Sequence, residues 1–324
     1  MNIALRINRD NMDAYSDPGD LRPDWTLIHL GNGDVPDETV AATGAQVLVV
    51  DAVTPVTASL LEAMPRLRLI HSQGVAFDRI DCAAARERGI YVCNNPGVNA
   101  AAVAEHTVML MLAGLRQLIP ARRAVLAGEQ MAYKNRCFSN ALPELLGKAV
   151  GLIGFGAIGR EVAARLVPFG CSVYFYTPSG KGDVPGAKAL DLETLLRTCD
   201  IVSLHAPVTD VTRGMIGRDA LARMKPGAIL INTARGALID PAAVKEALER
   251  GSLGLYATDT LDPEPVTADN LLLSLAPAHR DRLLCTPHVA GLTQGSFRRT
   301  YRNIWRNVAL VQDGRPPDFV VNGL

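Results

Sequence analysis

Short runs of apolar residues alternate along almost the whole chain with longer stretches whose apolar positions have a helical spacing. The short runs are continuously apolar, which is typical of parallel strands that helices cover on both faces. They predict strands at 47–50, 67–70, 90–92, 150–153, 173–176, 201–204 and 228–231. We therefore expect βαβ units in two parallel sheets, one in each of two domains.

The helical stretches differ in how clearly they are patterned. Apolar residues recur at helical spacing from Asn99, a candidate N-cap, to near Pro120, and a short helix is predicted over 121–126. Residues 129–146 show no period and predict an irregular arm. Residues 296–311 predict an amphipathic helix whose basic outer face is solvated.

Composition excludes several classes of function. A length of 324 residues predicts about two domains. Because 33 Lys and Arg balance 33 Asp and Glu, no basic field exists to hold nucleic acid or an anionic membrane. Neither a signal peptide nor a membrane-spanning stretch is recognisable, so we expect a cytoplasmic protein. The six cysteines have no zinc-ligand spacing, so neither a metal nor a disulfide framework is expected.

A glycine-rich segment follows the predicted strand at 150–153 and precedes a helical stretch, and the strand at 173–176 completes a βαβ unit. In such a G-x-G-x-x-G turn the three glycines permit the tight turn, the approach of a pyrophosphate and close helix–strand packing. Free N–H groups at the helix start attract phosphates. The segment predicts a dinucleotide site at Gly154, Phe155, Gly156, Ala157, Ile158 and Gly159.

The loop after the strand at 173–176 bears on the choice of dinucleotide. A carboxylate there accepts hydrogen bonds from the ribose hydroxyls of NAD, but this chain has Thr177, followed by Ser179 and Lys181. These side chains donate to a 2′-phosphate, so the loop favours NADP over NAD. The preference is modest because the loop lacks arginine, and a loop without selectivity is the alternative.

Three later segments carry reactive side chains, and each follows or closes an apolar run. They contain Arg235 (in 232–236), Glu264 (in 262–265) and His288 (in 286–291). Ligands of open α/β sheets bind at the carboxyl ends of strands, so we expect these side chains at one sheet edge. A serine hydrolase is excluded because the chain has no G-x-S-x-G elbow.

The ordered set of segments resembles the D-isomer-specific 2-hydroxyacid dehydrogenase family. The resemblance covers nearly the whole chain and is carried by 72–75, 95–97, 104–106, the glycine loop, 224–228 and 287–291. It implies an α/β fold of two Rossmann- or flavodoxin-like lobes with parallel sheets and the active site in the interdomain cleft. Residues 1–98 plus 291–324 would form the substrate-binding domain, and 99–290 the nucleotide-binding domain.

The resemblance implies hydride transfer between NAD(P)H and a 2-oxoacid or D-2-hydroxyacid. Arg235 would hold the substrate carboxylate and polarise the neighbouring carbonyl. His288 would act as the general acid and base, and Glu264 would pair with it.

Binding residues follow from the same resemblance. Backbone N–H groups of Gly74 and Val75 would receive the substrate carboxylate, with Ser72 and Gln73 shaping its approach. Asp259 would bind the nicotinamide carboxamide. Backbone segments lining the cofactor cleft would be those of His205, Ala206, Pro207, Thr233 and Ala234. The region 100–146 matches the one through which family members form two-fold dimers, so we expect a homodimer.

Several alternatives stay open. The substrate is expected to be glyoxylate, hydroxypyruvate or a sugar-derived acid. A phosphonate-type dehydrogenase shares the three residues, whereas formate enzymes have an amide in place of Glu264. A nicotinamide-sensing, corepressor-like binding protein is the non-enzymatic alternative. His106 is predicted to be a core histidine with a satisfied ring, and 266–282 has no predicted role.

Overall fold

The structure is a computed structural model that describes residues 1–180 and 182–324. The chain divides into two compact units. The first unit comprises Met1–Asn99 and Leu292–Leu324, and the second comprises Ala100–Gly291. The first unit is therefore assembled from both ends of the chain.

The described residues form these strands, numbered in chain order: β1 Asn2–Arg6, β2 Thr26–His29, β3 Val47–Val50, β4 Leu69–Ser72, β5 Tyr91–Cys93, β6 Ala149–Ile153, β7 Ser172–Tyr176, β8 Ala187–Ala189, β9 Ile201–Leu204, β10 Ala228–Asn232, β11 Leu253–Thr258 and β12 Leu283–Cys285. The helices are α1 Arg9–Tyr15, α2 Asp37–Ala42, α3 Ala58–Ala63, α4 Cys82–Glu87, α5 Ala100–Leu115, α6 Leu118–Leu126, α7 Gln130–Ser139, α8 Ala157–Leu166, α9 Leu192–Thr198, α10 Arg218–Arg223, α11 Pro241–Arg250 and α12 Gln294–Gln312.

The first unit is built on a five-stranded sheet in the order β2-β1-β3-β4-β5, and its strand pairs are parallel. All four residues of β3 are buried, because alternate side chains enter cores on opposite faces. One core contains side chains of α2, α3 and α4. The other is covered by α12, whose Tyr301 and Trp305 are fully buried.

The second unit contains a seven-stranded parallel sheet in the order β12-β11-β10-β9-β6-β7-β8. Every residue of β9 and β10 is buried. Helices α9, α10 and α11 contribute to the core on one face, and α5 and α8 contribute to the core on the other. The continuously apolar runs in the sequence thus correspond to strands covered on both sides, as predicted.

The predicted strands are present, with ends shifted by a few residues. The strands β1, β2, β8, β11 and β12 were not predicted. The prediction of an irregular arm over 129–146 was wrong, because α7 occupies Gln130–Ser139. None of the α7 residues is buried, so the helix has no core-facing stripe that could produce an apolar period.

The segment 266–282, for which no role was predicted, contains two 3-10 turns, Leu271–Ser274 and Pro277–Arg282. Leu272 and Leu275 are buried in the core that contains Val244 and Leu248 of α11. This packing accounts for the apolar residues of the segment. Within the described ranges, no helix is both long and apolar enough to cross a bilayer.

Candidate active site

The glycine loop joins the end of β6 to the start of α8. Gly154 has φ +97°, and a Cβ there would lie 2.5 Å from the His205 carbonyl oxygen. A Cβ on Gly159 would lie 2.5 Å from the Gly154 carbonyl oxygen, which accounts for the close approach of helix and strand. A Cβ on Gly156 would meet nothing within 4 Å. The space at Gly156 is therefore open to a ligand.

Gly156 is also the N-cap of α8, and no side chain within the described residues caps this helix. The first N–H groups of a helix lack intrahelical partners and carry partial positive charge. An open glycine position beside uncapped helix N–H groups suits a pyrophosphate. The residues present thus fit a dinucleotide.

The ends of β7 and β9 flank the glycine loop. Gly154 N donates to the Tyr176 carbonyl at the end of β7, over 2.9 Å, and His205 N donates to the Ile153 carbonyl, over 2.7 Å. Ala206 and Pro207 continue the chain from His205. Burial lowers the pKa of His205 to about 4, so its ring is neutral near pH 7. Its Nδ1 is buried without a hydrogen-bond partner in the part of the chain that the structure describes.

Thr177 follows β7, and its hydroxyl oxygen lies 3.2 Å from that of Ser179. The third residue predicted for this loop, Lys181, lies outside the described residues. A carboxylate does occur nearby, at Asp183, but it accepts a hydrogen bond from Ala189 N at 2.7 Å.

The three reactive residues follow adjacent strands of the second unit. Arg235 comes after β10, Glu264 after β11, and His288 after β12. The strands are in register at these ends, with Asn232 opposite Thr258 and Thr258 opposite Cys285. The carboxyl ends of parallel strands meet at one sheet edge, so all three segments leave the sheet at the same edge.

His288 and Glu264 form a hydrogen-bonded pair. His288 Nδ1 lies 2.9 Å from both carboxylate oxygens of Glu264. Because an ionised carboxylate only accepts, Nδ1 carries a proton and donates it. The neutral ring then has Nε2 free to accept a proton, and the charged ring has Nε2–H free to donate one.

The loop that carries His288 is fixed by the carboxylate of Asp259, which is 1% exposed. Its Oδ1 accepts hydrogen bonds from Val289 N at 3.0 Å and from Thr286 Oγ1 at 2.5 Å, and its Oδ2 accepts one from Ala290 N at 2.8 Å. His288 N donates to the Asp259 carbonyl at 2.8 Å. His288 itself has φ 55°, a left-handed conformation that costs a non-glycine residue about 1–3 kcal/mol. The contacts to Asp259 hold the backbone in this conformation.

Arg235 is exposed, and one terminal nitrogen donates to its neighbour's carbonyl, that of Ala234, at 2.7 Å. No carboxylate within the described part of its own unit forms a salt bridge with it. The side chain of Asn232 fixes the backbone of this segment. Its Nδ2 donates to the Arg235 carbonyl at 2.9 Å, and its Oδ1 accepts from Ala234 N at 3.1 Å. The guanidinium retains donors for an external carboxylate.

In the first unit, the predicted substrate loop follows β4. Ser72 Oγ donates to the Ala76 carbonyl at 2.6 Å and accepts from Gly74 N at 3.3 Å. Asn94 Nδ2 donates to the Val75 carbonyl at 2.7 Å. These bonds fix the loop while leaving Val75 exposed.

The side chain of Gln73 contacts the C-terminal helix α12 of the same unit. Its Nε2 donates to the hydroxyl of Tyr301 on α12 at 2.6 Å. Gln73 therefore ties the loop to α12 through a buried tyrosine.

Three comparisons with known proteins agree. The family model described as "D-isomer specific 2-hydroxyacid dehydrogenase, NAD binding domain" matches residues 108–290. The chain belongs to this family. Hydroxypyruvate reductase of Thermotoga maritima is 41% identical over 258 residues, which cover 78% of this chain and 80% of that protein. Glyoxylate reductase of Thermofilum pendens is 37% identical over 82% of this chain and 78% of that protein.

The solved structure of D-2-hydroxyisocaproate dehydrogenase superimposes with a TM-score of 0.86 at 26% identity, covering 99% of each chain. The predicted family and the predicted α/β fold class with parallel sheets are confirmed. This member of the family is an oxidoreductase of 2-hydroxyacids that uses a nicotinamide cofactor.

The residues that support the loops were not predicted from the sequence. His106, predicted to be a satisfied core histidine, does have a partner, but it is Thr286 Oγ1 beside the His288 loop, at 2.9 Å. Its side chain is 14% exposed and does not lie in the core. Their positions in the sequence could have indicated this role. His106 lies in a segment that carries the family resemblance, 104–106, and Thr286 directly precedes another, 287–291.

Gly156→Ala tests the open position of the glycine loop. The backbone at Gly156, φ −80° and ψ −152°, is accessible to alanine, so the melting temperature should fall by no more than about 4 °C. The added methyl group would occupy the space open to the pyrophosphate and raise the Kd for NAD(P)H about ten- to a hundredfold, measured by fluorescence titration.

Gly33→Ala is the matched control, because a Cβ at Gly33 also meets nothing within 4 Å but lies in the first unit. A folded Gly156→Ala protein with wild-type affinity would show that the dinucleotide does not approach at this position.

Proposed function

We propose that the chain is a cytoplasmic, NAD(P)H-dependent reductase of small 2-oxoacids of the glyoxylate and hydroxypyruvate class. The observation that carries this proposal is the pairing of His288 Nδ1 with both oxygens of Glu264. Because Nδ1 is engaged by the carboxylate, the other ring nitrogen, Nε2, is the one that can exchange a proton with a substrate. The names of the two relatives, hydroxypyruvate reductase and glyoxylate reductase, support the substrate class.

In the reduction, His288 Nε2–H donates its proton to the carbonyl oxygen of the oxoacid. The reduced nicotinamide, when bound, supplies the hydride that forms the new bond to the carbonyl carbon. The products are a D-2-hydroxyacid, the oxidised cofactor and a neutral His288 that takes up a proton from solvent. Oxidation runs through the same atoms in reverse.

Glu264 and Arg235 orient these atoms. Glu264 fixes which ring nitrogen of His288 faces the substrate and stabilises the charged ring. Arg235 binds the substrate carboxylate through its fork of N–H donors and polarises the adjacent carbonyl. Gly74 and Val75 of the first unit supply backbone N–H groups to the same carboxylate. The proposed substrate domain comprises 1–98 plus 291–324, and the proposed nucleotide domain comprises 99–290.

Asp259 has two roles in this proposal. Its carboxylate holds the His288 loop, and its position after β11 also suits contact with the nicotinamide carboxamide. Thr233, Ala234 and the backbone at 205–207 follow neighbouring strands and would line the rest of the cofactor site.

NADPH is proposed as the modestly favoured cofactor. The hydroxyls of Thr177 and Ser179 lie together after β7, and the nearby carboxylate of Asp183 is occupied by Ala189 N. Among the described residues, no carboxylate directly follows β7, the position from which it would repel a 2′-phosphate.

A homodimer is proposed through the face formed by α5 and α6. A groove with a volume of about 550 Å³ is lined there by apolar side chains that include Val108, Met109, Leu112 and Leu118. Met109 and Leu118 are 46% and 55% exposed. An apolar groove of this kind marks an interaction site more often than free surface.

His288→Asn should lower kcat about a hundred- to ten-thousandfold, because it removes the proton donor. Glu264→Gln, which keeps the size of the side chain but loses its charge, should lower kcat about tenfold. The assay follows nicotinamide absorbance with glyoxylate, hydroxypyruvate and phenylpyruvate.

Glu38→Gln on α2 is the control for the loss of one exposed carboxylate.

Tight cofactor binding by the wild-type protein without turnover of any acid, together with a stable partner protein, would instead support a nicotinamide-sensing binding protein. Turnover of phosphite alone would support the phosphonate-type alternative.

Thr177→Asp should raise KM for NADPH more than KM for NADH, because a carboxylate repels the 2′-phosphate and accepts hydrogen bonds from the ribose hydroxyls. Thr177→Asn has nearly the same shape without the charge and serves as the control. An equal effect of Thr177→Asp on both cofactors would refute the proposed NADPH preference.

Met109→Glu combined with Leu118→Glu should convert the proposed dimer to monomer, because burying unpaired carboxylates costs several kcal/mol. Analytical ultracentrifugation gives the oligomeric state. Val211→Glu is the control, since Val211 is 88% exposed and lies away from this groove. A double variant that sediments like the wild-type dimer would exclude the face as the interface.

A further inference from the structure

We propose that two consecutive residues of α5, His106 and Thr107, are positioning residues for the two loops that carry His288 and Arg235. The inference rests on the proposed function, which assigns proton transfer to His288 and carboxylate binding to Arg235. Neither His106 nor Thr107 is proposed to touch the substrate.

The first branch runs from His106 to the His288 loop through Thr286. His106 Nε2 lies 2.9 Å from Thr286 Oγ1, and Thr286 Oγ1 lies 2.5 Å from Asp259 Oδ1. A threonine hydroxyl has one hydrogen, and an ionised carboxylate only accepts. Thr286 therefore donates to Asp259 and accepts from His106, which requires a proton on His106 Nε2.

This direction does not depend on whether the His106 ring is charged, because the Nε2 proton is present in both forms. Burial lowers the pKa of His106, and the neighbouring carboxylate of Asp259, 3.6 Å from Nε2, opposes that shift. Asp259 in turn accepts from Val289 N and Ala290 N and, through its carbonyl, from His288 N. His106 thus acts on His288 through the group that holds the strained loop.

The second branch runs from Thr107 to the Arg235 loop. Thr107 Oγ1 donates to the Val103 carbonyl one turn earlier at 2.8 Å, and lies 2.8 Å from Thr233 Oγ1. Since Thr107 has already used its hydrogen, Thr233 is the donor of the second bond. Both threonines are buried, and Thr233 lies two residues before Arg235.

The two branches leave α5 at adjacent positions, so their separation is set by the helix backbone. The helix is rigidly seated, with Ala104, Leu110 and Met111 no more than 1% exposed in the core it shares with α8. A rigid element that contacts both loops fixes the distance between the proton donor and the carboxylate-binding guanidinium. Errors of about 1 Å in such a distance can cost about a hundredfold in rate.

The test of the first branch is a double-mutant cycle of His106→Leu and Thr286→Val. Each single change should lower kcat about tenfold and change the NADPH Kd less than about twofold. The double variant should be no worse than the single variants, because both changes break one chain. His106→Gln, which restores an N–H donor, and Thr286→Ser, which keeps the hydroxyl, should recover most of the loss.

The second branch should give a different kinetic signature. Thr107→Val loosens the loop of the residue that binds the carboxylate, so it should raise KM for the oxoacid about tenfold with a smaller effect on kcat. Thr107→Ser should restore KM. Glu105→Gln is the control for both branches, because Glu105 is the preceding residue on α5, is exposed and forms its salt bridge with Arg165, which belongs to neither loop.

Hydrogen exchange measures the loop positions independently of activity. His106→Leu should speed exchange of the amides at 288–290, and Thr107→Val should speed exchange at 234–236, without a change elsewhere in the sheet. Three results would overturn this inference while leaving the proposed function intact. They are additive losses of kcat in the His106→Leu and Thr286→Val cycle, equal effects of Thr107→Val on kcat and KM, and unchanged amide exchange in variants of an active enzyme. A wild-type protein without turnover would overturn the proposed function, and unchanged exchange in its variants would overturn the positioning as well.

Discussion

The buried carboxylate of Asp259 is the constraint on which the arrangement of the candidate active site depends. A charge that is 1% exposed is tolerated only if hydrogen-bond donors surround it. Those donors are a threonine hydroxyl and two backbone N–H groups of one short loop. The loop must turn them inward together, and the left-handed backbone of His288 is where the chain makes that turn. The position of the His288 imidazole thus follows from the hydrogen bonds that the loop must donate to the Asp259 carboxylate.

The sheet supplies the second requirement, which is proximity. The strand order β12-β11-β10 brings the three segments with Arg235, Glu264 and His288 side by side, although they lie far apart in sequence. A parallel sheet achieves this through crossover connections, here residues 233–252 and 259–282, which return the chain so that the carboxyl ends of the strands align. The first unit repeats the principle on a smaller scale, because the loop proposed to bind the substrate leaves the carboxyl end of β4 and is tied to α12 through Gln73 and Tyr301.

Local patterns were enough to predict the glycine loop and the parallel sheets, because each depends on a few neighbouring positions. The three reactive residues were singled out by the ordered set of segments that carries the family resemblance, and their roles stay a prediction. The helix α7 was missed because it buries nothing and so has no apolar period. The chain from His106 to Asp259 was missed because it joins residues 180 and 27 positions apart, a separation that no local pattern encodes. The cofactor preference depends on a loop whose Lys181 lies outside the described residues, so Thr177 and Ser179 carry that proposal.

The discontinuity of the first unit has a consequence for biosynthesis. Residues 1–99 leave the ribosome first, but the sheet face that contains Val47 and Val49 is covered by Tyr301 and Trp305 of α12. That face lacks the part of its cover that α12 provides while the whole second unit, Ala100–Gly291, is synthesised. The second unit has all its strands before the first unit has its last helix, so it is able to fold first. Until α12 emerges, the nascent chain lacks the two buried aromatic side chains, Tyr301 and Trp305, that complete this core.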